Sequence, residues 1–393
     1  MPLARLRDPH GLLAALFIAS FGLRPQLSGV GPLLPEIQRD LDVSHAAAGL
    51  LGAIPVLCMG LFAFPGTRIL SLASPRTVIT ACLVAIAASS LIRTTAPSII
   101  GVLLFTLPFG IATGVLGSTL PVAVKVQFPR RAALATGTYA VGINVGAAGA
   151  AAVAVPLGYV AGGWRGSLAI LALVCSAAIP AWIALTDRTQ LSTRIPIMAP
   201  RIPWTSTVAW ALALVFGLQA TCFYGLNAWL ASAYGERGWE RTSTGALIAT
   251  LNVVAVAGVV LVPLLVDRAV ARLSLLLLGA TVLLTATLGL VLVPEGAWAW
   301  VVLASLSLGV LFSLSLTLAV DVARTSQEAS SIAAMQLGVG YTLAGLAPFV
   351  MGVFRDSIGT FATSLWTLVA VSGCLVGVVL ALCARGENTI TVA

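Results

Sequence analysis

The sequence predicts an all-α membrane protein with twelve transmembrane helices arranged as two pseudo-symmetric six-helix bundles. The chain of 393 residues is 59% hydrophobic and only 9% charged, with a mean hydropathy of +1.05. Soluble domains carry roughly 25% charged residues. Apolar runs recur along the whole chain and form two sets on either side of a polar break near its middle. These observations indicate that lipid surrounds most of the protein.

Each predicted span is an apolar run close to the roughly 20 residues that a helix needs to cross a bilayer. In chain order, spans 1 to 12 are 10–34, 46–66, 76–93, 98–124, 132–158, 166–186, 206–233, 243–266, 273–293, 297–320, 329–354 and 361–384. The break after span 6 is rich in arginine and proline. It predicts a first bundle at 1–187, a cytoplasmic linker at 188–205 and a second bundle at 206–393.

The distribution of basic residues predicts the orientation. If the N-terminus is cytoplasmic, most of the 21 Lys and Arg lie in cytoplasmic loops and span ends, as the positive-inside rule requires. Both termini are then cytoplasmic, because the number of spans is even. The net charge of +8 does not indicate a nucleic-acid partner, since the basic residues occur singly rather than in one cluster. We expect a multi-pass protein of the bacterial inner (plasma) membrane.

The two predicted bundles resemble each other weakly in sequence. The run that starts at His45 and includes Gly49 pairs with the run that starts at Arg241 and includes Gly245. Duplicated halves with a solute site between them, near the middle of the bilayer, are a recurrent plan of transporters. The duplication therefore predicts transport.

Cysteine and histidine spacing predicts no metal, no cofactor and no enzyme. The six cysteines lie in apolar stretches without a CxxC pair, and His10 and His45 are far apart in the chain. A membrane-embedded hydrolase would need a nucleophile–base or metal constellation, which these histidines do not supply. An enzyme or receptor without transport is the weakest of the functional hypotheses.

Three groups of motifs carry a family resemblance. They are Leu23-Arg24-Pro25-Gln26 with Gly31-Pro32-Leu33-Leu34-Pro35-Glu36-Ile37; Phe216-Gly217-Leu218-Gln219 with Phe223-Tyr224 and Ala228-Trp229-Leu230; and Gly338-Val339-Gly340-Tyr341. With them the chain resembles the cyanate permease and nitroimidazole transporter branch of the major facilitator superfamily. The resemblance implies a monomer whose two bundles rock about a central cavity, with spans 1, 4, 7 and 10 lining it alongside spans 2, 5, 8 and 11.

The chain departs from superfamily patterns at two positions. The usual loop motif G-x-x-x-D-R-x-G-R after span 2 is degraded and lacks its acid, whereas Asp267 and Arg268 keep part of it after span 8. We predict a gating role for Asp267, Arg268 and Glu36. The proline of the drug/proton antiporter signature is missing from span 5, where the sequence has Gly146-Ala-Ala-Gly149-Ala. This favours a solute other than a drug.

Arg24 is the candidate residue that most constrains the function. A charged side chain near the middle of a span costs at least ~2.5 kcal/mol on the insertion scale, and all 13 acids lie near helix ends or in loops. We predict that the guanidinium faces the cavity and binds an anionic or strongly polar solute. The alternative is that Arg24 clamps neighbouring helices through backbone carbonyls or pairs with an acid.

Other polar residues near the same depth complete the predicted substrate-binding group. Polar side chains in lipid must find partners, so each either lines the cavity or joins helices. The candidates are Tyr139, Asn144, Gln219, Tyr224, Asn227, Gln336 and Tyr341. Gly142, Gly146 and Gly149 continue the Tyr139 stripe of span 5 and predict a close, sliding helix contact.

The combined prediction is a secondary active or facilitative transporter that moves a small anionic or polar solute by alternating access. The alternative is an exporter of drugs or toxic small molecules of the nitro-heteroaromatic type, in which Arg24 would be structural. The missing antiporter signature and the position of the acids at helix ends favour the first function.

Overall fold

The structure, a computed structural model, describes residues 9–63, 69–70, 72–128, 132–186, 202–266 and 272–386. The regular elements in these ranges are helices. Eleven helical segments are long and apolar enough to cross a membrane, and the shorter apolar helix His45–Leu61 completes the predicted twelve spans. Most of the predicted linker at 188–205 lies outside the described residues.

The spans have the following bounds. Span 1 consists of Pro9–Phe21, Pro25–Ser28 and Val30–Leu41. Spans 2 to 6 are His45–Leu61, Pro75–Thr95, Ile99–Gln127, Ala132–Val160 and Trp164–Leu185. Spans 7 to 12 are Thr207–Gly235, Arg241–Val266, Arg272–Leu292, Ala297–Asp321, Ser326–Ile358 and Phe361–Gly386. Span 1 continues past the predicted end at residue 34, because charged residues end an apolar run without ending a helix.

Span 1 breaks where the sequence places a charge beside a proline. The first helix ends at Phe21, and a single turn begins at Pro25, whose missing N–H and fixed φ suit the first position of a helix. The backbone N–H groups of Leu27 and Ser28 both donate to the Arg24 carbonyl at 3.0 Å. Arg24 is therefore the N-cap residue of the short turn, and its side chain lies at the break in span 1.

The two halves use equivalent carboxylates to join their first and last spans. Glu36 of span 1 accepts a hydrogen bond from the backbone N–H of Trp164, the first residue of span 6, at 2.9 Å. Glu236, at the end of span 7, accepts from the N–H of Phe361, the first residue of span 12, at 3.0 Å. Each carboxylate satisfies an N–H that a helix start leaves free. The weak sequence duplication thus corresponds to a repeated structural contact.

The halves meet through three sets of helices. Span 2 packs along span 11, span 5 packs on span 8, and Val30–Leu41 packs on spans 7 and 8. Asp356 of span 11 accepts from the N–H groups of His45 at 3.0 Å and Ala46 at 2.8 Å, and it also bonds His45 Nδ1 at 2.7 Å. The Glu36 and Arg241 side chains pair at 3.5 Å. We call this end of the molecule, where spans 1 and 2 connect, the closed end.

Spans 4 and 10 pack differently from these helices. In the described ranges, span 4 packs extensively only on spans of the first half, and span 10 packs extensively only on the second half. The main contacts between the halves are thus made by spans 1, 2, 5, 7, 8 and 11. The contacts of Glu36 and Asp356 would shield a solute site between the halves from the closed end.

Candidate functional site

Arg24 connects the two halves near the break in span 1. Its Nη1 donates a hydrogen bond to the hydroxyl of Tyr224 in span 7 at 2.8 Å, and its Cζ lies 5.8 Å from the centre of that ring. Tyr224 is buried, whereas Arg24 keeps part of its surface accessible. The hydrogen bond crosses from the first half to the second, so movement of the halves must change it.

Two further tyrosines complete the group around the guanidinium. Tyr139 of span 5 and Tyr341 of span 11 both interact electrostatically with Arg24. The rings of Tyr224 and Tyr341 meet edge to face with centroids 6.2 Å apart. The three tyrosines come from three different spans, and the structure brings them together with Arg24 as one cluster. We call these four residues the Arg24 cluster.

The chemistry of the Arg24 cluster favours an electron-rich ligand. A guanidinium has five N–H donors, and a phenol that accepts a hydrogen bond still has its own O–H to donate. None of the acids in the described part of the chain forms an ion pair with Arg24. The cluster therefore offers a positive charge and several donors without a resident carboxylate.

A small cavity lies between the Arg24 cluster and the closed end. It has a volume of about 20 Å³ and is lined by residues of both halves, among them Arg24, Ser28, Gly52, Tyr224 and Asn227. A cavity of this size holds about one water molecule. In this conformation this cavity has no room for a larger solute.

Asn227 is the second predicted polar residue of span 7 on this cavity. Its amide nitrogen donates to the Phe223 carbonyl at 3.0 Å, and its amide oxygen accepts from Asn252 of span 8 at 2.9 Å. Asn252 is buried and also donates to the Ile248 carbonyl at 2.8 Å. Asn227 is thus oriented by its neighbours while it contacts the cavity.

The remaining predicted residues have different surroundings. Asn144 donates to the Ala140 carbonyl of its own helix at 2.8 Å. Gln336 is fully buried and donates to the carbonyls of Ser315 at 2.9 Å and Leu212 at 3.4 Å, so it links spans 11, 10 and 7. Gln219 is also buried. A solute contact for these three residues stays a prediction.

The predicted gating residues fall in two regions. Asp267 and Arg268 lie outside the described residues. Glu36 lies at the closed end, in a surface hollow of about 460 Å³ that also contains Arg165 and Arg241. Because Glu36 bonds both the start of span 6 and Arg241 of the other half, it occupies a position where a gating contact would form.

Sequence reasoning missed Arg93 of span 3. It is 1% exposed, and its Nη2 donates to the backbone carbonyl and to the side-chain oxygen of Gln26 at 2.9 and 2.5 Å. Its Cζ lies 5.2 Å from the centre of the Phe109 ring. Basic residues near a span end ordinarily reach the membrane interface, so its position in the sequence gave no signal of burial.

The pairing of His45 with Asp356 was also missed. These residues are separated by 311 positions in the chain and meet across the two halves. Each lies at a span end, where polar residues are ordinary. The repeated run that begins at His45 was noticed in the sequence, but it could not identify a partner in span 11.

The glycine stripe of span 5 packs inside one half instead of sliding between halves. A Cβ at Gly142 would overlap Ser20 and Phe17 of span 1, and one at Gly146 would overlap the backbone of Phe21. Space is open beside Gly149. Close packing occurs as expected, but its partner is span 1 of the same half.

Comparison with known proteins places this fold in a family. The model of the Major Facilitator Superfamily matches residues 16–348. The chain is 30% identical over 371 residues to the cyanate transport protein CynX of Escherichia coli (strain K12), with 94% of this chain and 95% of that protein covered. It is 27% identical over 385 residues to the 2-nitroimidazole transporter of the same organism, with 96% of each covered.

Solved structures have the same architecture at lower identity. A bacterial homologue of the human lysosomal transporter Spinster, in an inward-facing and unoccupied conformation, has a TM-score of 0.73 and 18% identity, covering 98% of this chain and 96% of that one. The nucleoside transporter NupG has a TM-score of 0.75 and 13% identity, covering 94% and 99%. The predicted fold is confirmed, and so is the prediction of a transporter in place of an enzyme. This chain is a multi-pass membrane transporter and belongs to the Major Facilitator Superfamily.

Proposed function

We propose that this transporter moves a small anion, or a small polar molecule with anion-like acceptor atoms, by alternating access between its halves. The observation that carries the proposal is the Arg24 cluster: a guanidinium at a broken helix, surrounded by three phenols and paired with no acid in the described chain. A charge in a membrane interior is costly unless it is paired. A bound anion would supply the missing partner.

The donors around Arg24 also suggest the shape of the solute. Tyr224 and Tyr341 present ring edges to each other and to Phe216 and Phe223, so aromatic surfaces surround the guanidinium. Such walls suit a flat or linear solute whose acceptor atoms point at one side. Cyanate is a linear anion, and 2-nitroimidazole is a flat ring with nitro oxygens; these are the solutes that the names of the two relatives contain.

Movement of the halves would expose the site alternately. We take 1–187 and 206–393 as the two bundles and the N-terminus as cytoplasmic, so the closed end faces the periplasm. The hydrogen bond between Arg24 and Tyr224 joins the bundles directly. A solute that inserts between them would replace this bond and allow the closed end to separate.

The test is thermal stabilisation of the purified protein by cyanate, 2-nitroimidazole and the lipophilic cation tetraphenylphosphonium. A ligand that binds only the folded state stabilises by RT ln(1 + [L]/Kd), about 2.7 kcal/mol at 100 Kd. Arg24→Ala removes the proposed anchor, and Arg39→Ala is the matched control, because Arg39 is an exposed arginine of the same span. We expect cyanate to stabilise wild type and Arg39→Ala but not Arg24→Ala.

A second candidate function is export of neutral nitro-heteroaromatic compounds, which the similarity to the 2-nitroimidazole transporter supports. In that case the aromatic rings, and not the charge, would hold the solute. 2-Nitroimidazole would then stabilise wild type and Arg24→Ala equally, and cyanate would stabilise neither. That result would replace the anion proposal with the exporter.

A further inference from the structure

We propose that Arg93 is a positioning residue, which fixes the broken segment of span 1 and thereby sets the place of the Arg24 guanidinium. The part of this inference that concerns the solute rests on the proposed function. The part that concerns the backbone of span 1 stands on the contacts of Arg93 alone. Nothing in the motifs or in the Arg24 cluster itself requires a second buried arginine.

The contacts form a clamp across three spans. Arg93 of span 3 binds Gln26 of span 1 twice, at the backbone carbonyl and at the side-chain oxygen. The side-chain nitrogen of Gln26 donates in turn to the carbonyl of Leu168 in span 6 at 2.8 Å. Gln26 is fully buried, so both ends of its amide are used and its orientation is fixed.

The clamp acts on the turn that carries Arg24. Gln26 lies within the single turn Pro25–Ser28, and the N–H groups of Leu27 and Ser28 hold the Arg24 carbonyl. No continuous helix fixes this turn from the N-terminal side, because the first helix of span 1 ends at Phe21. A shift of Gln26 would therefore move the backbone of Arg24, only two positions away.

Stability alone does not account for Arg93. None of the described acids pairs with it, its partners are neutral oxygens, and its buried Nε has no hydrogen-bond partner. Removing a charge from water is costly even when the ion is paired, and apolar replacements of buried ions are often neutral or stabilising. A buried arginine with these partners is better explained by what it orients.

The second half provides an internal comparison. There Cys222 of span 7 donates its thiol to the Leu368 carbonyl of span 12 at 3.8 Å. This contact matches that of Gln26 with Leu168, but a small thiol makes it. The contact between the first and sixth helices of a half can therefore form without an amide or an arginine. The polar clamp is confined to the half that contains Arg24.

The experiment measures the backbone and the site separately. Arg93→Met removes the charge and both hydrogen bonds, Arg93→Lys keeps a charge that can reach one acceptor, and Cys222→Ala disturbs the equivalent contact of the second half. Hydrogen–deuterium exchange of peptides covering residues 22–30 needs no ligand. We expect at least tenfold faster exchange there in Arg93→Met, an intermediate rate in Arg93→Lys and a wild-type rate in Cys222→Ala.

The second measurement is binding of cyanate to the same variants. We expect the Kd to rise at least tenfold in Arg93→Met and less in Arg93→Lys, while the melting temperature of Arg93→Met stays at or above that of wild type. A merely structural residue would lower the melting temperature and leave the Kd of the folded fraction unchanged.

Four outcomes are informative. Unchanged exchange at 22–30 in Arg93→Met overturns it, and so does faster exchange with an unchanged cyanate Kd. If wild type does not bind cyanate but exchange responds as expected, the clamp stands and the proposed function fails, because the exchange measurement does not depend on a solute. If Arg93→Met does not fold, Arg93→Lys decides by the same two measurements.

Discussion

The two halves of this transporter repeat one frame but carry different chemistry. In each half, a carboxylate of the first helix accepts a hydrogen bond from the backbone N–H at the start of the sixth helix. In each half, a side chain of the first helix also donates to a leucine carbonyl of the sixth. The first half adds two arginines to this frame, Arg24 and Arg93. The second half adds aromatic and amide side chains instead, such as Tyr224 and Tyr341.

This difference separates what the fold needs from what the site needs. Because the second half makes the leucine contact with a thiol, the frame requires no charge at that depth. Under the proposed function, the positive charge of the first half serves the solute site, and the phenols of the second half complete that site across the interface.

Gln26→Glu places a carboxylate beside Arg93 and two positions from Arg24. At about 8 Å and an effective dielectric constant of about 20, one charge contributes roughly 2 kcal/mol, or about 30-fold in affinity. We expect anion binding to weaken by about this factor, with the chain still folded because the carboxylate gains Arg93 as a partner. Isothermal titration with cyanate measures the change.

The matched variant for this prediction is Gln26→Leu, which removes both side-chain hydrogen bonds of Gln26 and adds no charge. It should weaken binding less than Gln26→Glu. Equal losses in the two variants would mean that the excess positive charge of the first half is irrelevant to the solute. The halves would then differ, as far as the solute is concerned, only in how their side chains pack.

Glycines that pack between the halves should differ from glycines that pack within one half. A Cβ at Gly352 of span 11 would overlap the His45 backbone of the other half, whereas one at Gly142 would overlap Ser20 and Phe17 of its own half. Overpacking typically costs 1–3 kcal/mol. We expect Gly352→Ala to favour separation at the closed end and Gly142→Ala to lower the melting temperature.

The readout is a cysteine introduced at Ser28, which lines the small cavity beside the Arg24 cluster. The rate at which this cysteine reacts with a membrane-impermeant thiol reagent, added from the closed-end side, is measured. The native cysteines are replaced in this background. Gly352→Ala should raise the rate about tenfold, in line with about 1.4 kcal/mol, and Gly142→Ala should leave it unchanged. A rise in both variants would show that closure depends on general packing.

Two carboxylates allow the same comparison for polar contacts at the closed end. Asp356 joins span 11 to the start of span 2 across the halves, while Glu236 bonds Arg355 and the start of span 12 within the second half. A partly exposed ion pair contributes up to about 1 kcal/mol. Asp356→Asn should therefore raise the Ser28→Cys reactivity about three- to fivefold.

Glu236→Gln is the control for the Asp356 contact, since it removes a carboxylate of similar exposure whose own hydrogen bonds lie within the second half. It should lower the melting temperature and leave the cysteine reactivity at the wild-type value. If Glu236→Gln raises the reactivity as much as Asp356→Asn does, the Asp356 contact is not what holds the closed end together.

Local patterns predicted much of this architecture. Hydropathy located the twelve spans to within a few residues at most ends, because crossing a bilayer imposes a length on each apolar run. The break in span 1 coincides with the pair Arg24-Pro25, and proline and charge are both features that a sequence shows locally. The tyrosines near Arg24 followed from their depth in the spans.

Contacts between distant parts of the chain were not predictable in this way. Arg93 reads as an ordinary basic residue near a span end, and only the packing of spans 1, 3 and 6 reveals that Gln26 binds it. Asp356 likewise meets His45 only when the halves associate. Depth in a span follows from sequence, but the direction in which a side chain points depends on which helices surround it.

The smallest predicted effects distinguish the three hydroxyls of the Arg24 cluster. Tyr139→Phe, Tyr224→Phe and Tyr341→Phe each keep the ring and remove one hydroxyl, and a neutral hydrogen bond contributes about 0.5–1.5 kcal/mol. We expect cyanate binding to weaken about two- to tenfold in each variant, with Tyr139→Phe of the first half similar to the two variants of the second. A loss only in Tyr224→Phe, whose hydroxyl accepts the 2.8 Å hydrogen bond from Arg24, would mean that the phenols orient the guanidinium and do not contact the solute. Equal losses in all three would instead place the anion between the halves, because no single half supplies the three hydroxyls.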